Sequence, residues 1–210
     1  MKKIDWKLCL VADADYVRGR DLLDLLMRSV DAGATLVQLR AKSLSSREFL
    51  DLCLAAQTKL SKRGIPLIIN DRLDIALAGG ASGVHLGQED MPLHSARTIL
   101  GHDRIIGISV SSVEEALRAW HGAADYVGAG PVFATSTKEC GMPPLGPEGL
   151  KKIREAIRIP ILAIGGITPD NARQALESGA DGLAVISAIL GAEDAASATA
   201  ELLKVFALRA

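Results

Sequence analysis

Aromatic residues are scarce in this chain. Phe, Trp and Tyr make up 3% of 210 residues, while hydrophobic residues reach 49%. A large core can be buried, and it has to be built from Val, Ile, Leu and Ala. Cysteine is also rare. Cys9, Cys53 and Cys140 are an odd number without CxxC spacing, which argues against a disulfide framework and for a reducing, cytoplasmic setting. No apolar run is long enough to span a membrane. The opening "MKKIDWKLCLVADAD" has a short apolar stretch soon broken by aspartates, so neither a membrane segment nor a signal peptide is expected. The net charge is −1 and no basic run or basic–aromatic stripe occurs, which gives no support for nucleic-acid binding. Nothing in the composition assigns an oligomeric state.

Short β-rich runs are present throughout. They lie at 7–13, 36–40, 66–70, 83–87, 104–109, 125–130, 160–166 and 182–188. Most are continuously apolar, as in parallel strands covered on both faces. Amphipathic stretches separate them. Leu22, Leu23, Leu26 and Val30 recur at helical spacing, and "TPDN" precedes another helix that Thr168 or Asp170 can cap. The phrases "DAGATLVQL", "GGASGVHL", "HGAADYVGA" and "ESGADGLAV" each end a helix and begin a strand. Glycine at such a point can take the left-handed conformation that ends a helix. Eight βα units in one chain predict a closed (β/α)8 TIM barrel, a single domain over 1–210. An open doubly wound sheet is the alternative, but the first strand lacks the GxGxxG that would favour it.

Barrels carry their chemistry where the strands end and the βα loops begin. Strand two ends in Gln38, Arg40 and Lys42, alternate positions that point the same way. Strand three ends in Asn70 and Asp71, strand four is followed by Asp90, and strand five ends in Ser109. Strand six runs into "PVFATSTKECG", with Thr135, Thr137 and Lys138. Strand seven ends in Gly165 and Gly166, and strand eight in Ile186 and Ser187. Asp71 and Asp90 are one βα unit apart, so they are expected on adjacent strands of one rim. Two carboxylates beside cations, with no His/Cys cluster, suit Mg²⁺. Arg40, Lys42 and Lys138 would share a polyphosphate, Arg as a fork and Lys as a point charge. The loops after strands seven and eight suit a second anion, with Gly166 permitting close approach and Ser187 adding a hydroxyl. Simpler roles stand beside these. Asp71 also fits an N-cap for a helix over 73–78, Asp90 a cap or an exposed side chain, and Arg40 with Lys42 a solvated edge. The glycine pair fits a plain turn, and Cys140 is read as incidental. His85, inside an apolar strand, is expected to be a hydrogen-bonded core histidine.

At these positions the sequence resembles the thiamine-phosphate synthase (thiamine-phosphate pyrophosphorylase) family. The matching segments are "VQLRAK", "NDRLDIALAGGASGVHLGQEDMP", "GISVSSVEEA", "ADYVGAGPVFATSTKE", "AIGGITPDN" and "GADGLAVISAIL". They run in order over about 10–190. Departures are Ala41 and Ser82, where acidic residues are common, and Cys140 with two prolines in a variable loop; none removes an expected ligand. The resemblance implies a (β/α)8 barrel that joins a hydroxymethylpyrimidine diphosphate to a thiazole phosphate and releases pyrophosphate. It implies that Gln38, Arg40, Lys42, Asn70, Ser109 and Lys138 bind the pyrimidine diphosphate, with Arg40, Lys42, Lys138 and Ser109 acting in catalysis. It implies that Asp71 and Asp90 hold Mg²⁺, and that Thr135, Thr137, Gly166, Ile186 and Ser187 bind the thiazole phosphate. The chemistry expected is a dissociative displacement by a neutral ring nitrogen, which has no proton to lose and needs no general base. The loop over 133–145 is expected to act as a lid. Three alternatives stand against this: a thiazole tautomerase of the same branch, a phosphosugar isomerase on a similar barrel, and a non-catalytic sensor of phosphorylated ligands.

Overall fold

Eight parallel strands close on themselves in a computed structural model that describes residues 4–17, 19–135 and 143–207. The strands are β1 (Leu8–Asp13), β2 (Leu36–Arg40), β3 (Leu67–Asn70), β4 (Gly83–Leu86), β5 (Ile105–Val110), β6 (Tyr126–Ala129), β7 (Ile161–Ile164) and β8 (Gly182–Val185). Their order around the sheet follows the chain. Leu8, Cys9 and Leu10 pair with Leu183, Ala184 and Val185, which closes the ring. The fold is therefore a (β/α)8 TIM barrel, and the β1–β8 pairing excludes the open sheet. Seven strands lie within two residues of the expected runs. The eighth stops at Val185, because the chain then turns into a helix over Ser187–Leu190.

The outer layer is α1 (Leu22–Asp31), α2 (Ser46–Ser61), α3 (Leu73–Ala78), α4 (Leu93–Leu100), α5 (Val113–His121), α6 (Gly146–Ala156), α7 (Pro169–Glu177), the short α8 (Ser187–Leu190) and α9 (Ala195–Ala207). Local chemistry sets several helix starts. The Asp21 carboxylate accepts from the Leu23 and Asp24 N–H groups, and Ser45 with Glu48 forms a reciprocal cap on α2. Of the two candidates before α7, Thr168 is the N-cap and Asp170 lies inside the helix. Asn171 Oδ1 accepts the Thr168 N–H at 2.8 Å.

Strand alternation decides what faces the barrel axis. Cys9, Val11, Leu36, Ile68, Ile105, Tyr126, Leu162 and Ala184 form one enclosed cluster, separate from the larger layer between strands and helices. Two residues further along each strand, the same face is presented again. From Val11 this leads to Asp13, from Leu36 to Gln38 and Arg40, from Ile68 to Asn70, and from Ile105 to Gly107 and Ser109. The axis is therefore apolar in its lower layer and polar towards the strands' C-terminal ends. Asp13, Gln38 and His85 are three of the five buried polar residues among those described.

The aliphatic core expected from composition is present, with two large exceptions. Phe49 and Tyr126 are among the largest fully buried side chains. Tyr126 fills the axis, its ring 4.9 Å from that of Trp6. Burial also quiets the thiols: Cys9 is pushed up to about 12 and Cys53 to about 11. Cys140 lies outside the described residues.

The four helix-to-strand turns share one geometry. Gly33, Gly80 and Gly179 take positive φ values of 113°, 65° and 105°. The equivalent residue in the third turn is Ala123, at φ 62°. A left-handed alanine is strained by contact between its Cβ and the backbone. Ala123→Gly is expected to stabilise the fold by about 0.5–1 kcal/mol, after allowing for the greater freedom of the unfolded chain. Urea unfolding of the two proteins measures the difference, and a lower midpoint for the variant would contradict this account.

Candidate active site

Most of the polar residues expected on one rim do meet there. A cavity of about 510 Å³ at the strands' C-terminal ends is lined in part by Arg40, Lys42, Asn70, Asp71, Asp90 and Ser109. A second cavity, of about 130 Å³, is lined in part by Thr135, Gly166, Ile186 and Ser187. Ser109, Gly130 and Pro131 belong to both. Two ligands seated in them would share a wall. Gln38 lines neither cavity. It is buried, at 6% exposure. Thr137 and Lys138 lie outside the described residues, as does the middle of the expected lid.

The backbone aims Asp71. Its φ is 63°, in the left-handed region, which Asp tolerates better than most residues. Its N–H donates to the His85 carbonyl at 2.8 Å. The N-cap of α3 is Arg72, and no side chain caps that helix. The simpler role for Asp71 is therefore not what is found. Its carboxylate instead meets Lys42 Nζ at 2.8 Å and shares the cavity wall with Asp90. Asp90 caps no helix either, and its Oδ2 accepts the Gly87 N–H at 2.6 Å. Burial, followed by the hydrogen bond and charge of Asp71, raises the Asp90 carboxyl above its ordinary value, against the opposing effects of the Gly87 N–H and Lys42.

The pair suits a hard divalent cation. Mg²⁺ typically takes one or two carboxylates and completes its octahedron with phosphate oxygens and water. Two carboxyls pressed together gain most from a cation between them. Among the described residues no group of three or more His, Cys, Asp or Glu is placed to hold a metal, so a closed all-protein cage is not what these residues build.

Two acids missed in the sequence brace the cation-bearing residues, one at the Arg40 guanidinium and one at the Lys42 backbone. Asp13 and Arg40 are direct partners in the β1–β2 register, and Arg40 Nη1 lies 2.5 Å from Asp13 Oδ2. Asp15 accepts the Lys42 N–H at 2.8 Å and the Ser43 hydroxyl. The Ser43 bond, ahead of other causes, lowers the Asp15 carboxyl below its ordinary value. The available signal was "ADAD" at the end of the first strand, with Asp13 on the same inward parity as Val11. His85 is the bonded core histidine expected, its Nδ1 2.8 Å from Tyr126 Oη and its Nε2 2.9 Å from Ser109 Oγ.

At the second cavity, the glycines serve the chain's own packing. Gly165 and Gly166 have φ values of 91° and 66°. A Cβ on Gly166 would sit 2.4 Å from the Ala134 carbonyl oxygen. The close approach that requires glycine here is therefore that of the β6 loop, besides any ligand.

A closed parallel barrel with two adjoining cavities at its strands' C-terminal ends defines a TIM-barrel protein of the enzyme type. The family model described as "Thiamine monophosphate synthase" matches residues 8–189. The thiamine-phosphate synthase of Clostridium novyi (strain NT) is 49% identical over 95% of this chain and 98% of its own. That of Albidiferax ferrireducens is 50% identical, over 90% and 86%. The solved thiamine phosphate pyrophosphorylase from Pyrococcus furiosus superposes with a TM-score of 0.88 at 41% identity, over 97% of this chain and 96% of that one. The chain belongs to the thiamine-phosphate synthase family, and is an enzyme, a transferase of thiamine biosynthesis. A 3-hexulose-6-phosphate synthase, with a TM-score of 0.69 and 18% identity, shares the fold alone.

The raised Asp90 carboxyl gives a signed expectation. Its favourable protonated form is fully present below the ordinary 3.8, and that contribution is lost as pH rises through the higher folded value. Without divalent cations, Asp90→Asn should melt above the wild type at pH 7, with the gap closing towards pH 4. A variant that melts lower at pH 7 would refute the repulsion between Asp90 and Asp71.

Proposed function

We propose that this enzyme condenses 4-amino-2-methyl-5-hydroxymethylpyrimidine diphosphate with 4-methyl-5-(2-phosphoethyl)thiazole, giving thiamine monophosphate and pyrophosphate, in the cytoplasm. The observation that carries this is the convergence of Asp71, Asp90, Lys42 and Arg40 on one cavity that shares a wall with a second. The names of the relatives support the same activity.

The larger cavity takes the diphosphate. Arg40, braced by Asp13, presents its remaining N–H groups to phosphate oxygens, and Lys42 adds a mobile positive charge. Asn70 and Ser109 supply neutral hydrogen bonds. Asp71 and Asp90 would hold Mg²⁺, which when bound supplies positive charge to a departing pyrophosphate. Lys138 is assigned to the same leaving group, and Thr137 to the thiazole phosphate, from the family motif that carries them. The smaller cavity takes the thiazole phosphate against Thr135, Gly166, Ile186 and Ser187.

The bond between the pyrimidine methylene and the diphosphate oxygen breaks as charge builds on that oxygen. The amino-substituted ring stabilises the cation left behind. The thiazole nitrogen then donates its lone pair to the methylene carbon. No proton is transferred, so the residues of the site bind, orient and exclude water and include no general base. Holding both partners at a shared wall contributes several kcal/mol, up to roughly 7–11 in the best model reactions.

Incubation with both phosphorylated heterocycles and Mg²⁺ should release pyrophosphate in step with thiamine monophosphate, and EDTA should stop it. Binding of both without release would favour the sensor, and turnover of a thiazole phosphate alone the tautomerase. Asp71→Asn keeps a residue that tolerates the left-handed backbone. It should lower kcat by about a hundredfold or more while melting no lower than the wild type. Equal loss of fold and activity would return Asp71 to a structural role.

A further inference from the structure

The axis beneath the two cavities holds a chain of hydrogen bonds that the proposed chemistry does not use. It runs from Tyr126 Oη to His85 Nδ1 at 2.8 Å, and from His85 Nε2 to Ser109 Oγ at 2.9 Å. Space has been cleared for it on two strands. A Cβ on Gly107 would sit 2.1 Å from the Tyr126 ring, and one on Gly128 would sit 3.0 Å from His85 Cε1. Gly128 is also the register partner of Ser109.

Hydrogen-bond direction along this chain follows from its first member. Tyr126 is 1% exposed, and the hydrogen-bond partner found for its hydroxyl among the described residues is His85. Burial holds the Tyr126 hydroxyl well above its ordinary value, so it keeps its proton. A buried O–H needs an acceptor, and His85 Nδ1 is the one in reach. A ring that accepts at Nδ1 is neutral and carries its proton on Nε2. Nε2 then donates to Ser109 Oγ. The Ser109 proton is left to point away from His85, and this hydroxyl lies on the wall common to both cavities.

We infer that Tyr126 and His85 form a one-way hydrogen-bond relay that makes Ser109 a donor at the shared wall, with His85 as its positioning residue. This rests on the transferase chemistry proposed above, in which a donor at that wall meets the oxygen on which charge develops. The reverse direction would turn the Ser109 proton back towards His85 and leave only lone pairs facing the anion.

Two measurements test this. The first needs no activity: nitrogen NMR of ¹⁵N-histidine protein, with His85→Gln identifying the signal, reads which ring nitrogen bears the proton. The proton on Nε2 alone is expected; on Nδ1, or on both nitrogens, it overturns the relay. The second is a pair of variants. In His85→Gln the carboxamide nitrogen reaches the place of Nε2, and in His85→Asn only that of Nδ1. His85→Asn should lower kcat about tenfold with KM little changed, part of the hundredfold or more that a whole donor is worth. His85→Gln should keep more of kcat than His85→Asn. In a Ser109→Ala background His85→Asn should have no further effect. Melting curves exclude loss of fold. Equal losses in the two variants, or additive losses with Ser109→Ala, would sink the positioning role. If the wild type releases no pyrophosphate, the transferase assignment fails, and the ring-nitrogen spectrum alone decides the relay.

Discussion

Two carboxyls are held close to one another at the mouth of the barrel, and like charges so placed repel. Asp71 is turned towards Asp90 by a left-handed backbone, and Asp90 is anchored through the Gly87 N–H. The fold carries this repulsion in part by leaning on Lys42 and in part by raising the Asp90 carboxyl. Strain of this kind is common where binding, not stability, is served. It makes a cation and an anionic ligand mutually dependent at the site proposed here. A cation relieves the carboxyls, and a diphosphate would then draw Lys42 and Arg40.

The rest of the barrel serves to keep those groups on one side. Strand periodicity turns a uniform apolar axis into a graded one. Val11, Leu36, Ile68 and Ile105 seal the lower layer, and Asp13, Arg40, Asn70 and Ser109 follow on the same faces. Asp13 is buried at 4% exposure beside Arg40 on the neighbouring strand, so the guanidinium is braced before any ligand arrives. Such a brace reduces the side-chain freedom lost on binding.

Much of this was legible in the sequence because it is periodic. The eight apolar runs gave the strands, and their spacing gave the rim. Asp71 and Asp90 could be brought together because adjacent parallel strands lie one βα unit apart. What was hidden depends on contacts between distant segments. Asp13 and Asp15 looked like interruptions of an apolar run until β2 was seen to pair with β1. Gln38 looked like a rim residue but is buried and lines neither cavity. Asp71 looked like a helix cap as easily as a ligand, because its left-handed backbone has no signature in composition. Gly166 gained a second reason to be glycine only when the loop after β6 was seen against it.

The most direct measurement of the central claim is the binding of Mn²⁺, as a spectroscopic substitute for Mg²⁺, followed by its electron paramagnetic resonance signal. Inorganic pyrophosphate should tighten Mn²⁺ binding to the wild type, and the pair Asp71→Asn, Asp90→Asn should lose that binding while still folding. Equal Mn²⁺ affinity in the wild type and the double variant would contradict the account.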